Sequence, residues 1–281
     1  MTDETQISAI SPKRQHLWPS MNKAFLYIDI LGFENLVRTN PKKVDQIFKI
    51  FDSLKLHNHF ALQTIVFSDT ILVFNKDESL TTDYYCTYLV EYSQELFYRL
   101  SSINVYFKGI LTLGEFHFSQ MTNIQAYYGL ALIDTYNDEA TLEGFGLYVD
   151  RRLSNEIIVF DKVPFTEKYD FVLLCQSLKN LYTTTEGVLP IDINLLSETD
   201  SFYRIDEDLR FFREIDYLKQ NHPVEKIRAK YQIVYNIYKT DLPLFFTTFE
   251  EQGFLPFAIN PNYAGNINPF EILAEQELNE C

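Results

Sequence analysis

Short apolar blocks separated by polar turns characterise the first 160 residues of this chain. Residues 24–28 form one such block, which ends at Asp29. Residues 63–74 contain two further blocks on either side of Ser68 and Asp69. Apolar runs of this length, bounded by turn residues, predict a buried strand and a hairpin of two buried strands.

Between the apolar blocks lie segments with the 3.6-residue spacing of amphipathic helices. Residues 34–56 have this spacing but are interrupted at Asn40 and Pro41, which predicts two helices or one broken helix. Further helices are predicted at 83–100, from Gly129 to about 143, 211–220 and 224–239. Further strands are predicted at 105–118, 147–149, 157–160 and 171–174. The last forty residues show no clear period, and we expect them to drape over the domain or a partner.

This order of elements predicts an α+β fold in which helices cover one face of a sheet. Three segments are expected. Residues 1–20 are a flexible N-terminal segment, and residues 21–162 form the sheet domain. Residues 163–281 form a helical C-terminal extension that packs on that domain or on a dimer partner.

Composition narrows the classes of function. The formal net charge of −15 disfavours sequence-independent binding to nucleic acid or direct binding to an anionic membrane. A polyanionic substrate would therefore require metal ions and local cations. The chain has no 18-residue apolar run and no signal-peptide pattern, so we expect a cytoplasmic location. Cys86, Cys175 and Cys281 have no metal-ligand spacing and are interpreted as reduced thiols.

Asp29 and Asp69 are the candidate chemical groups, since each ends or joins buried strands and the two could converge at one edge of a sheet. One interpretation of Asp29 is a cap on the following helix. The other is that the two carboxylates, with the backbone carbonyl of Ile30, hold two Mg²⁺ or Mn²⁺ ions. In that case the backbone N–H groups at residues 31–33 (Leu31, Gly32 and Phe33) are candidates for binding a triphosphate.

Four segments, in order and at matching spacing, resemble motifs of the class III nucleotidyl cyclases. Residues 25–33 (FLYIDILGF) resemble the first metal motif, and residues 67–70 (FSDT) resemble the hairpin motif, in which Gly-Asp is usual. Residues 107–115 (FKGILTLGE) and 128–132 (YGLAL) resemble the following strand and the start of the next helix. The resemblance covers roughly residues 23–160. It implies a βαββαβ, ferredoxin-like catalytic domain, two catalytic aspartates at Asp29 and Asp69, and a homodimer with its sites at the interface.

The chain departs from the family pattern at the residues that contact the nucleotide base and the ribose. The two base-reading positions are Ile65 and Ala126, and the positions of the helical asparagine and arginine are Ile133 and Asn137. Three cations are candidates for replacing the lost arginine: Lys108, Arg151 and Arg152.

Two interpretations of the function follow from these departures. Residues 131–139 (ALIDTYNDE) resemble the helix of the bacterial Pycsar antiphage pyrimidine cyclases, whose C-terminal Lys-Tyr helix is matched by Lys230 and Tyr231. That resemblance implies synthesis of cyclic UMP from UTP, or of cyclic CMP from CTP, to activate a separate effector protein. The other interpretation is that the chain is a catalytically inactive cyclase fold that serves as a regulatory or scaffolding dimer.

Overall fold

The computed structural model describes residues 22–54, 56–76, 79–198 and 200–265. The N-terminal segment 1–20 and Cys281 lie outside the described residues. Nine strands are assigned within the described ranges. They are β1 (Asn22–Ile30), β2 (Leu62–Phe67), β3 (Thr70–Asn75), β4 (Phe107–Glu115), β5 (His117–Gln120), β6 (Gln125–Tyr128), β7 (Gly146–Asp150), β8 (Lys162–Pro164) and β9 (Tyr169–Val172).

Seven of these strands form one mixed sheet in the order β2-β3-β1-β4-β7-β9-β8. Strand β1 is antiparallel to both of its neighbours, β3 and β4, and β7 runs parallel to β4. The order of the first four strands is that of a ferredoxin-like βαββαβ unit. The predicted α+β fold is therefore confirmed, and β5 and β6 form a separate two-stranded ribbon.

Nine α-helices are assigned in the described residues, including the predicted pair on either side of Asn40. They are α1 (Phe33–Thr39), α2 (Pro41–Ser53), α3 (Thr82–Ser102), α4 (Leu130–Thr141), α5 (Gln176–Thr185), α6 (Leu195–Glu198), α7 (Ile205–Asn221), α8 (Glu225–Asp241) and α9 (Pro243–Glu251). Helix α2 begins at Pro41, directly after its N-cap residue Asn40, because the Asn40 side chain accepts a hydrogen bond from the backbone N–H of Lys43 and Pro41 suits the first turn.

The two faces of β1 bury different residues. Alternate residues from Ala24 to Ile30 join the large core with α3, whereas Phe25 and Tyr27 join a smaller cluster on the opposite face. Helix α4 contributes Ala131 to that smaller cluster. The prediction of helices on one face therefore needs one addition: α4 lies on the other face.

Three strand predictions have different bounds in the structure. The predicted strand 105–118 ends at Glu115, because the buried Phe116 separates β4 from the β5–β6 ribbon. Residues 157–160 are not a strand: Ile157 and Phe160 are buried while the two residues between them are exposed. Burial three residues apart fits a turn rather than the two-residue period of a strand. The strand predicted at 171–174 is β9, two residues earlier.

The sheet continues past residue 162, since β8 and β9 are its last two strands. Helices α7 and α8 then pack on the same core as α3, with the rings of Phe97 and Phe211 4.8 Å apart. The chain from 243 contains an unpredicted helix, α9. Its residues Phe245, Phe246 and Phe249 are fully buried, so its aromatic content reflects core packing.

Candidate active site

Asp29 is the next-to-last residue of β1 and continues the face that carries Phe25 and Tyr27. It is half-buried and lies opposite Thr70 of β3 and Lys108 of β4. An ionised carboxylate at such a position loses hydration, so it requires a cation or hydrogen-bond donors. Its neighbours on both adjacent strands therefore determine its chemistry.

Asp69 lies in the two-residue turn between β2 and β3. Ser68 takes a left-handed conformation there, with φ of 57°, which is the conformation that glycine adopts most easily. The backbone N–H of Ile30 donates to the carbonyl oxygen of Asp69 at 3.0 Å. This bond fixes the turn beside the end of β1, so the structure brings Asp29 and Asp69 together.

The helix-cap interpretation of Asp29 is wrong. Helix α1 begins at Phe33, and its N-cap residue is Gly32, which has a φ of 73°. Asp29 is therefore three residues too early to cap this helix, and its carboxylate remains available for another role.

Fewer backbone N–H groups are available to bind a triphosphate than the sequence predicts. The N–H of Leu31 already donates to the carbonyl of Tyr106 at 2.9 Å, as an extension of the β1–β4 ladder. Phe33 lies in the first turn of α1, where backbone N–H groups have no partner within the helix. Only the backbone of Gly32 and Phe33 remains a candidate for binding phosphate.

The electrostatics of the site are dominated by negative charge. Burial, together with the neighbouring charges of Asp69 and Glu139, raises the pKa of Asp29 to about 7, while Lys108 and Lys230 act in the opposite direction. Burial also raises the pKa of Tyr27 to about 12, against the effect of a hydrogen bond with Thr70. A cation bound between the two aspartates would relieve this repulsion.

The ammonium group of Lys108 is not available as that cation. Its buried ammonium group lies 2.8 Å from Oε1 of Glu139 on α4 and donates to the Glu139 carbonyl oxygen at 2.8 Å. A buried lysine held by a carboxylate and a carbonyl is already neutralised locally. Lys108 therefore fixes the end of α4 against β4.

The other two candidate cations lie far from Asp29 within the same chain. Arg151 pairs with Asp170, and Arg152 pairs with Asp150, just beyond the end of β7. Because Lys108 is aligned with the first residue of β7, that end lies about 15 Å along the sheet from the Asp29 position. Neither arginine reaches Asp29 in its own protomer.

The positions at which the chain departs from the cyclase pattern are scattered in the structure. Ile65 is half-buried in β2, and Ala126 lies in β6. Ile133 and Asn137 are exposed on α4, with Ile133 56% exposed. Ile65 packs against the smaller core cluster that contains Phe25 and Tyr27, and the other three residues lie on β6 and α4 rather than on β1 or the β2–β3 turn.

No group of three or more histidine, cysteine, aspartate or glutamate side chains arranged to hold a metal occurs among the described residues. Two carboxylates and a backbone carbonyl fit Mg²⁺ or Mn²⁺, which keep several waters and substrate oxygens as ligands. They do not fit a fully protein-ligated structural metal. The donor set therefore favours ions that bind together with a phosphorylated substrate.

Sequence reasoning assigned no role to Glu139 and none in the site to Lys230, although their charges act on Asp29. The register of β1 and β4 sets Lys108 opposite Asp29, and the ion pair of Lys108 with Glu139 brings Glu139 to the same end of the sheet. Lys230 lies on α8, about 200 residues away along the chain. Its proximity is a tertiary property that local patterns do not encode.

Comparisons with known proteins identify similar structures but no related sequence. No family model matches the chain, and no curated protein matches it. The adenylyl cyclase CyaB from P. aeruginosa is 10% identical, with a TM-score of 0.44 over 54% of this chain and 94% of that chain. The guanylate cyclase domain of RhGC from Catenaria anguillulae, in complex with GTP, is 10% identical, with a TM-score of 0.43 over 54% and 96%. The guanylyl cyclase Cya2 is 14% identical, with a TM-score of 0.40 over 54% and 91%.

The likeness to these cyclase domains is confined to about half of this chain. At identities of 10–14% it does not extend to activity or substrate. Helices in the described residues offer no segment that is both long enough and apolar enough to span a membrane.

Proposed function

We propose that this protein is a nucleotide cyclase that converts a nucleoside triphosphate into a 3′,5′-cyclic nucleotide and pyrophosphate. The observation that carries the proposal is the hydrogen bond from Ile30 N–H to the Asp69 carbonyl, which places Asp69 beside Asp29. The two aspartates lie in motifs that resemble the metal motifs of class III cyclases. A partly buried pair of like charges is costly unless it binds cations, which supports a metal-dependent role.

Asp29 and Asp69 are the proposed ligands of two divalent ions, Mn²⁺ or Mg²⁺, together with the carbonyl of Ile30. When bound, such ions lower the pKa of a hydroxyl group and neutralise the charge of a polyphosphate. The chain's own contribution is to hold the two carboxylates at fixed positions on β1 and the β2–β3 turn. The Gly32 and Phe33 amides are the proposed contacts to the phosphates.

In the proposed reaction the ribose 3′-oxygen forms a bond to the α-phosphorus. The bond from that phosphorus to the bridging oxygen breaks, and pyrophosphate leaves with the electron pair. The hydroxyl proton passes to water. No side chain is required as a dedicated base, since Asp29 and Asp69 serve as ligands.

The proposed substrate is a pyrimidine nucleotide, UTP, with CTP as the alternative. The side chains at the two base-reading positions, Ile65 and Ala126, have no hydrogen-bonding groups, so they cannot read a purine as polar side chains would. The proposed product is a second messenger, made in the cytoplasm during antiphage defence, that activates a separate effector protein.

A homodimer is the proposed active form, with each site completed by the partner. Support comes from exposed apolar side chains on one continuous stretch of the chain, the β5–β6 ribbon and α4. They are Phe118, Met121, Ile124, Tyr128, Leu130, Ile133 and Tyr136. Exposed apolar patches of this kind mark interaction surfaces.

The test of the metal assignment is Asp69→Asn, with Ser68→Gly as the matched control. Loss of one carboxylate removes several kcal/mol of charge stabilisation, so we expect the rate of cyclic nucleotide formation to fall at least about 10²-fold. Ser68→Gly keeps the left-handed turn and should retain activity within about threefold. Both variants should keep the wild-type circular dichroism spectrum. Wild-type activity in Asp69→Asn would refute the assignment.

A further inference from the structure

Helix α8 of the C-terminal region is anchored beside the end of the sheet that holds Asp29. The ring of Tyr231 lies edge-on to Tyr106, with centroids 5.6 Å apart, and edge-on to Phe145 at 5.4 Å. The carbonyl of Tyr106 accepts the hydrogen bond from Leu31, two residues after Asp29. Lys230, which precedes Tyr231, is therefore held near the candidate active site by aromatic packing.

Lys230 is half-buried, and in the described part of the chain its ammonium group forms no direct ion pair or hydrogen bond. Its charge acts on Asp29 and Glu139, and burial together with the charge of Lys108 lowers the pKa of Lys230. Lys108, by contrast, is occupied by Glu139. A half-buried ammonium group in this position has donors to offer a ligand.

We propose that Lys230 binds the polyphosphate of the substrate, so that α8 forms part of the active site; this rests on the proposed cyclase function. A lysine ammonium group donates up to three charge-assisted hydrogen bonds to phosphate oxygens as the leaving group gathers negative charge. A cation is needed for a polyanionic substrate, because the protein carries a net charge of −15 and the carboxylates of Asp29 and Asp69 lie at the site.

The structure favours Lys230 over the cations expected from sequence. Lys108 is neutralised by Glu139, and Arg151 and Arg152 are paired at the far end of β7. Lys230 acts on Asp29 from a helix outside the segments that resemble cyclase motifs. The C-terminal region is therefore a contributor to the site rather than only a covering layer.

The experiment compares wild type, Lys230→Met, Lys230→Arg and the control Lys76→Met. Lys76 is exposed and follows β3 at the end opposite Asp69, about 20 Å along the strand. Binding of inorganic tripolyphosphate in the presence of Mn²⁺ is measured by calorimetry, after circular dichroism has shown that each variant is folded. We expect binding to weaken about 10- to 100-fold in Lys230→Met, to recover to within about fivefold in Lys230→Arg, and to be unchanged in Lys76→Met.

This readout does not require turnover, so it separates the inference from the proposed function. If wild type makes no cyclic nucleotide but Lys230→Met loses tripolyphosphate binding, the cyclase proposal fails and the Lys230 site stands. If wild type and Lys230→Met bind tripolyphosphate equally, or wild type does not bind it, the inference is overturned. With an active enzyme, we also expect Lys230→Met to raise KM for the nucleotide or to lower kcat, changes that Lys76→Met does not produce.

Discussion

The partly buried carboxylate of Asp29 destabilises the fold, and the same carboxylate is a proposed metal ligand. Its partial burial and the adjacent Asp69 raise its pKa to about 7, so the pair repels itself at neutral pH without a cation. The local sequence predicted both aspartates, because the strand end and the two-residue turn are short-range features. It did not place Glu139 or Lys230 at the site, because their charges act on Asp29 only as a result of the packing of α4 and α8.

A second buried carboxylate lies outside the candidate site and gives a pH prediction. Asp208 on α7 is fully buried, where Oδ1 accepts from the Tyr98 hydroxyl at 2.6 Å and Oδ2 accepts from Leu178 N–H at 2.8 Å. Burial raises its pKa to about 7 despite these bonds. Tyr98 belongs to α3, so this carboxylate joins the C-terminal helices to the sheet domain.

The native state therefore holds the Asp208 proton between pH 4 and pH 7, whereas the unfolded state has released it. The free energy of unfolding should fall as pH rises through this range, by up to about 1.4 kcal/mol per pH unit, and level off above pH 7. Asp29 adds a slope of the same sign in metal-free buffer. Asp208→Asn should flatten the dependence without abolishing it, as measured by urea unfolding from pH 5 to pH 8. An unchanged slope in Asp208→Asn would contradict the buried, protonated state.

At the scale of elements, the position of α4 depends on close backbone contact with β4. A Cβ atom added at Gly129, which precedes α4, would lie 2.3 Å from the carbonyl oxygen of Glu115 and 2.7 Å from Cα of Phe116. Both atoms belong to the backbone, so no side-chain rotation relieves the clash. Gly253 is the matched comparison: its φ is 64°, but an added Cβ would meet no atom within 4 Å.

Gly129→Ala should therefore destabilise the fold more than Gly253→Ala. We expect the free energy of unfolding to drop by about 3 kcal/mol or more in Gly129→Ala, from overpacking against the backbone. In Gly253→Ala, left-handed strain alone should cost about 1–2 kcal/mol. Urea denaturation of both variants measures the difference. Equal losses would show that the contact between Gly129 and β4 is not required.

The sequence predicted most elements near the site and fewer of those distant from it. Asn40 and Pro41 divided α1 from α2 because capping and the missing proline N–H act locally. The prediction of a strand at residues 157–160 was wrong, because apolar content alone does not distinguish a strand from a turn that buries Ile157 and Phe160. Helix α9 was missed because its phenylalanines obscure the amphipathic period.

At the scale of the whole molecule, the expected boundary near residue 162 does not divide the hydrophobic core. Strands β8 and β9 extend the sheet, and residues from α3, α7 and α8 belong to one core cluster. We therefore infer that the C-terminal helices stabilise the part of the chain that resembles a cyclase domain. Their arrangement depends on contacts between residues more than one hundred positions apart, such as Tyr98 with Asp208, which no local pattern specifies.

Identification of the reaction product shows whether this molecule cyclises a pyrimidine nucleotide. The full-length protein is incubated separately with ATP, GTP, CTP and UTP in the presence of Mn²⁺, and the products are identified by mass spectrometry. We expect a 3′,5′-cyclic pyrimidine nucleotide, with UTP turned over faster than CTP. Cyclic AMP or cyclic GMP as the main product would contradict the substrate assignment, and the absence of any cyclic product would contradict the proposed activity itself.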